Sequence, residues 1–182
     1  MKRVAFTCVV LLSFGFGTHK LVKTKVNDRI TVSLPSELYP MTDEDIVQRF
    51  PSVRQPLGAY TNPDRVVDFA VTISATQWPD TNLEMAQRFF KAGINNLYDR
   101  VEFKQEGIKT IHKRDFIFFE FESRLNGNRT DLGNLEPILK YTYICYLVEK
   151  NRTTVFTFSC PKALMGDWQE TAQKMMESIR VK

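Results

Sequence analysis

Three cysteines, two histidines and a pair of alternating glutamates are the residues of this 182-residue chain that offer covalent or acid–base chemistry. Cys145 or Cys160, served by His112, would make a small cysteine/histidine hydrolase, provided that the thiol is exposed and set among positive charges. Both cysteines fall instead in strand-like runs (Leu139 to Glu149 and Thr153 to Cys160), where a thiol is ordinarily a small buried hydrophobe. Glu120 and Glu122 alternate on a third such run and stand about 7 Å apart by strand spacing, near the separation of paired glycosidase acids. Alternating Glu on a strand is more often a solvated or ion-paired face. With two histidines, no Cys-x-x-Cys pair, no glycine-rich phosphate loop and no calcium-loop spacing, the sequence implies no metal site, no cofactor and no catalytic residue.

Cys145 and Cys160 also raise the question of a disulfide. A hairpin turning between Asn151 and Arg152 sets Cys145 opposite Phe158 and Leu147 opposite Phe156. The two cysteines then share a face as a diagonal pair about 7–8 Å apart, just past the usual reach of about 4.4–6.8 Å. The spacing favours two buried free thiols. The aromatics beside loops are the candidate binding residues: Tyr60 and Trp78 at the two ends of the Pro56–Trp78 stretch, and Tyr141 and Tyr143 after a long loop. Ordinary core and rim packing is the competing reading for all four.

The elements that position these residues begin after an export leader. Lys2 and Arg3, the apolar run Val4 to Phe16 and small residues up to Gly17 make residues 1–17 a secretory signal peptide, too short to span a membrane comfortably. Cys8 lies too near the start to be a lipoprotein cysteine. Residues 18–28, with Lys20, Lys23 and Lys25, are expected to be flexible, and residues 29–182 to form one domain. Lys and Arg number 25 against 21 Asp and Glu, so the chain without its leader carries about +2. That is too little, too evenly spread, to suggest nucleic acid as a partner. No stable membrane span is expected once the leader is removed, and the protein is expected in the periplasm or outside the cell.

Within the domain, Arg29 to Leu34 alternates cleanly as a strand. Thr42 followed by Asp43, Glu44 and Asp45 is a capped helix start, with Ile46, Val47 and Phe50 as its apolar side. The clearest strand is Val66 to Ala75, with Val67, Phe69, Val71 and Ile73 on one face and Asp68, Ala70 and Thr72 on the other. Asn62-Pro63-Asp64 turns it back on Gly58 to Thr61. Leu83, Ala86, Phe90, Ile94 and Leu97 recur at helical steps; Gly93 inside that helix suggests close packing. Val101 to Ile111 reads as extended with a bulge near Glu106-Gly107, and Phe116 to Ser123 as a strand with Ile117, Phe119 and Phe121 inward. Asn126 to Pro137 is a loop, and Leu164, Trp168, Ala172 and Ile179 mark a closing helix. The Asn-x-Thr triplets at Asn128 and Asn151 fall in loops, as glycan acceptors would. Both faces of the last hairpin are apolar, so helices should cover both sides.

Leu34-Pro35, a short helix ending Arg49-Phe50-Pro51, the run Pro56 to Asn62 before the long strand, the helix after Trp78 and the terminal Glu177-Ser178-Ile179 together resemble the PsbP-like superfamily, over Arg29 to Val181. The resemblance implies an α+β fold: an antiparallel sheet of about six strands with helices on both faces, an α/β/α sandwich. A cystatin-like helix-on-sheet fold is the competing architecture. The superfamily includes an extrinsic photosystem subunit, a Ran-binding import factor, DcrB-like bacterial envelope proteins and secretion-effector chaperones, which mostly bind proteins; its branches share shape and not a site, so no functional residue carries over. The expectation is an exported, non-enzymatic protein-binding module of the bacterial cell envelope. An immunity or accessory protein for a secreted toxin, and the small hydrolase above, are the alternatives.

Overall fold

The computed structural model describes residues 19–51, 55–76, 78, 82–126, 136–150 and 152–182. The leader at 1–17, most of the Asn126 to Pro137 loop and the acceptors Asn128 and Asn151 lie outside the described residues. In chain order the elements are β1 (Leu21–Lys25), β2 (Ile30–Pro35), β3 (Tyr39–Pro40), α1 (Asp43–Arg49), β4 (Gly58–Thr61), β5 (Asp68–Ile73), α2 (Leu83–Leu97), β6 (Arg100–Ile111), β7 (Arg114–Leu125), β8 (Ile138–Glu149), β9 (Arg152–Pro161), α3 (Met165–Glu177) and β10 (Arg180–Val181).

Seven strands form an antiparallel sheet in the order β3-β4-β5-β9-β8-β7-β6. The alternation around Phe69 is realised as β5, hydrogen-bonded to β4 on one side and β9 on the other. Between them, Asn62 accepts from the backbone N–H of Val66 and Val67 through Oδ1, and Arg65 closes the turn with φ of 57°. After β5 the chain crosses the sheet as α2 to the opposite edge, then returns strand by strand from β6 to β9.

Both faces are covered, as the apolar hairpin implied. On the first, Phe69, Val71, Phe116, Tyr143, Phe156 and Phe158 meet Trp168, Met175 and Met176 of α3 and Ile30, Val32 and Leu34 of β2. Burying each large apolar side chain there contributes about 1.5–3 kcal/mol. On the second, Ala86, Phe90 and Ile94 of α2 pack on Ile117, Phe119, Phe121 and Tyr146, with the Phe90 and Tyr146 rings stacked at 4.2 Å. α1 sits on this second face too, where Ile46 and Phe50 meet Ala59 and Ala70. Its start is a capping box between Thr42 and Asp45.

The fold differs from the sequence reading at several places. Leu21–Lys25, inside the segment expected to be flexible, is a strand; it pairs with β2, which also holds β10, as a separate three-stranded sheet. Its lysines are consistent with an edge strand, where charge discourages further pairing. The irregularity in β6 lies between Phe103 and Gln105 rather than at Glu106-Gly107. Gly93 has nothing within 4 Å of a built Cβ, so it marks open surface and not close packing. Val47 points outward, 68% exposed. The β8–β9 register pairs Cys145 with Phe156 and Tyr143 with Phe158, because the turn is centred one residue earlier than expected. That displaces the pairing by two, and an even displacement leaves every side chain on its expected face.

Candidate functional site

The candidate chemistry resolves into buried structure. Cys145 and Cys160 are both buried and free. Cys160 faces Tyr141, four residues along β8 from Cys145, a separation of about 13 Å that rules out the bond. Burial pushes each thiol up to about 12, so neither is a nucleophile at neutral pH. His112 is the first residue of the two-residue β6–β7 turn, with Lys113 as the second, at φ of 45° and 68°. It is exposed at the hairpin tip, and Cys145 pairs with Phe118 well inside the strand.

The two glutamates have different surroundings. Glu122 is ion-paired, as expected: it meets Lys104 at 2.9 Å and also Lys162. Those two ammonium groups, Lys162 first, hold its carboxyl below the usual range. Glu120 is neither solvated nor ion-paired; it is 0% exposed beneath α3. Its Oε1 accepts from the Tyr141 hydroxyl at 3.0 Å and from Gln169 Nε2 at 2.5 Å, and Oε2 accepts from Gln173 Nε2 at 3.0 Å. Gln169 and Gln173 are one helical turn apart and so present both amides to the same carboxylate. Burial and the Glu120 charge drive the Tyr141 hydroxyl far above its ordinary value, which keeps it a donor.

The four candidate binding aromatics do not form a surface. Tyr60, Tyr141 and Tyr143 are buried in the first-face core; Lys109 donates to the Tyr143 hydroxyl at 2.6 Å. A strand tyrosine reads the same in sequence whether a helix covers it or not. Trp78 is half-buried against Phe89 and Phe90, with ring centroids 5.2 and 6.4 Å away.

The open site lies elsewhere, on the second sheet face between α1 and the start of β8. It is a groove of about 740 Å³ with a floor of small and polar residues: Asp68, Ala70 and Thr72 from β5, Thr157 and Ser159 from β9. Arg49, Phe50, Arg65 and Val66 wall one side, and Ile138, Leu139 and Lys140 the other. Val66, Ile138 and Leu139 are all exposed there. Arg49 Nη1 reaches both oxygens of Asp68 at 2.5 Å, its Nη2 donates to the Arg65 carbonyl at 2.8 Å, and Thr61 donates to Asp68 at 2.7 Å. The ion pair locks α1 to β5 and leaves the groove apolar-walled with Arg65 and Lys140 at its rims. Such a surface offers apolar contacts and hydrogen-bonding groups to whatever docks on it. Sequence reasoning missed it, although its signal was the mixed face Asp68, Ala70, Thr72 in a sheet otherwise covered by aromatics.

Among the described residues no group of three or more His, Cys, Asp or Glu is placed to hold a metal ion, and no helix is long and apolar enough to cross a membrane. An antiparallel sheet with α3 on one face and α1 and α2 on the other is an α+β architecture, of the PsbP/Mog1-like kind by its structural matches. The chain is similar to cyanobacterial PsbP (CyanoP) from Synechocystis sp. PCC 6803, with a TM-score of 0.59 and 13% identity over 97% of this chain and 98% of that one. It is similar to the Ran-binding protein Mog1p of Saccharomyces cerevisiae, with a TM-score of 0.58 and 13% identity over 90% and 96%. A Pseudomonas aeruginosa protein of unknown function, PA94, gives 0.51 at 9% identity over 88% and 95%. No family model matches the sequence, and no curated protein does.

Proposed function

We propose that this chain is an exported protein-binding module of the bacterial cell envelope, acting without catalysis and holding its partner in the groove beside α1. The observation that carries the reading is the groove itself: exposed Val66, Ile138 and Leu139 rise around a polar floor, the mix of apolar anchors and hydrogen-bonding groups that protein interfaces use. The fold shared with a Ran-binding protein supports it by analogy of shape. Export is supported by Lys2, Arg3 and the apolar run to Phe16. A DcrB-like envelope role would suit such an export route. The hydrolase alternative is opposed by two buried thiols raised to about 12 and by the position of His112.

A photo-crosslinking residue at Leu139 or at Val66, expressed with the whole chain in its native cell, tests the reading. The expected result is one discrete adduct from both groove positions and none from Val22 on the three-stranded sheet. Identical adduct patterns from all three positions would sink the groove as the interface. Mass spectrometry of the same material tests export: a mature start at residue 16 or 18 is expected, and a chain retained from Met1 in the cytoplasm would overturn it.

A further inference from the structure

Three chain reversals place an arginine at the same end of the molecule. Arg29 precedes β2 and its backbone N–H donates to Asn27 Oδ1 at 2.9 Å; Arg114 opens β7 after the His112–Lys113 turn; Arg152 opens β9 opposite Glu149. With Lys150 and Val148 they line a depression of about 470 Å³. Among the described residues lining it the one acid is Glu149, which lies 3.4 Å from Arg29 Nη2 and 3.6 Å from Arg114 Nη1. Four cations against one carboxylate leave a surplus of positive charge. Arg152 adds a separate sign: among the described residues its Nε is buried with no hydrogen-bond partner. A buried donor left without a partner is costly, and each such group in a native structure calls for an explanation, a bound ion among them.

We infer that this depression is a binding site for the phosphate group of an anionic ligand, gripped by Arg29, Arg114 and Arg152 with Lys150 at the rim. The planar guanidinium fork matches phosphate oxygens in pairs, and an anion carrying up to two charges offsets the surplus. Glu149, only 20% exposed, holds Arg29 and Arg114 through one carboxylate oxygen, while the two arginines remain 49% and 43% exposed. All three arginines stand at strand starts in a hydrogen-bonded frame, so their backbones need no rearrangement on binding. The site is independent of the protein-binding groove. Lys140 and Glu149 mark opposite ends of β8, and the nine steps between them span roughly 30 Å.

The phosphate can come from a lipid headgroup or from a soluble ester, and the test separates them. The Nε–Hε signals of the arginines are followed by NMR while inorganic phosphate, then glycerol phosphate, is titrated against a chloride control. In parallel, sedimentation is measured with vesicles of phosphatidylcholine, with and without phosphatidylglycerol. Saturable shifts confined to Arg29, Arg114 and Arg152 are expected, with affinity falling about tenfold in Arg152→Gln. The double variant Arg114→Gln/Lys150→Gln, at exposed positions, gives the same comparison if Arg152→Gln folds poorly. Vesicle binding that needs phosphatidylglycerol and is lost in these variants assigns the lipid headgroup; soluble binding without vesicle binding assigns a free ester. No saturable response to either phosphate together with no vesicle binding, or binding undiminished in both variants, overturns the site.

Discussion

The Tyr141 hydroxyl donates to Glu120 Oε1 at 3.0 Å, and both side chains are entirely removed from solvent. Among the described residues no cation shares in this contact; the other donors are the amides of Gln169 and Gln173 on α3. The carboxylate therefore serves as a polar anchor between β7 and α3 in an otherwise apolar interface. Removing a donor from a charged acceptor costs about 1.5–3 kcal/mol, so Tyr141→Phe should lower stability by that amount. Glu120→Ala should cost more, about 3 kcal/mol or above, since it leaves three donors without an acceptor and opens a cavity. Glu120→Gln turns one oxygen into a donor facing other donors and should fall between them. Urea unfolding of the four proteins gives the order; equal stability for Glu120→Ala and Tyr141→Phe would show that the amides contribute nothing.

The two thiols should be inert while the protein is folded. At a value of about 12, roughly one thiol in ten thousand is ionised at pH 8. Iodoacetamide should modify neither Cys145 nor Cys160 in buffer and both at once in denaturant, and the intact mass should be the same with and without reductant. Rapid labelling of either cysteine in the folded chain would reopen the hydrolase.

Acid should weaken the β6–β7 edge through Glu122. Its folded value is depressed, first by the hydrogen bond from Lys162 and then by Lys104. Between that value and the ordinary glutamate value of 4.5 the unfolded chain binds more protons than the folded one, so stability rises with pH there. The contribution is complete above about pH 5 and disappears as pH falls through the folded value. Thermal melts in steps from about pH 6 to pH 3 should show the loss, and Lys162→Gln should make the curve shallower. The effect at neutral pH should stay below about 1 kcal/mol, because Lys162 is half exposed. A variant whose pH profile overlays the parent would remove Lys162 from this account.

Period-two alternation made β2, β5 and β7 legible, and the capping hydroxyl of Thr42 marked a helix start. The β8–β9 register was not legible, since a shift of two preserves every inward residue and only turn geometry separates the alternatives. Glu120 looked like a solvated position because Ile117, Phe119 and Phe121 already supplied an inward face. The contrary signal was remote: Gln169 and Gln173, polar residues a turn apart in a helix whose buried stripe holds Trp168, Ala172 and Met176. The groove was hidden for a similar reason. Nothing local to Asp68, Ala70 and Thr72 says that α1 stops short of Leu139.

Gly58 and Gly93 should respond to alanine with opposite signs. Gly93 sits in the exposed interior of α2, where a Cβ meets nothing within 4 Å. Gly93→Ala should therefore stabilise by about 0.5–1 kcal/mol through helix propensity and lost unfolded-state freedom. Gly58, at the start of β4, would place its Cβ 2.7 Å from Val26 Cγ1 and 3.3 Å from the Tyr60 ring. Val26 follows β1, and a β-branched side chain has little rotamer freedom to retreat. Gly58→Ala should accordingly destabilise by about 1–3 kcal/mol, as overpacking does. The companion change Val26→Ala clears the nearer contact, so the double variant should recover part of the loss. A double-mutant cycle by urea unfolding reads this coupling directly. Strict additivity of Gly58→Ala and Val26→Ala would mean that the turn after β1 does not rest on β4, and that the N-terminal strand is held by its pairing with β2 alone.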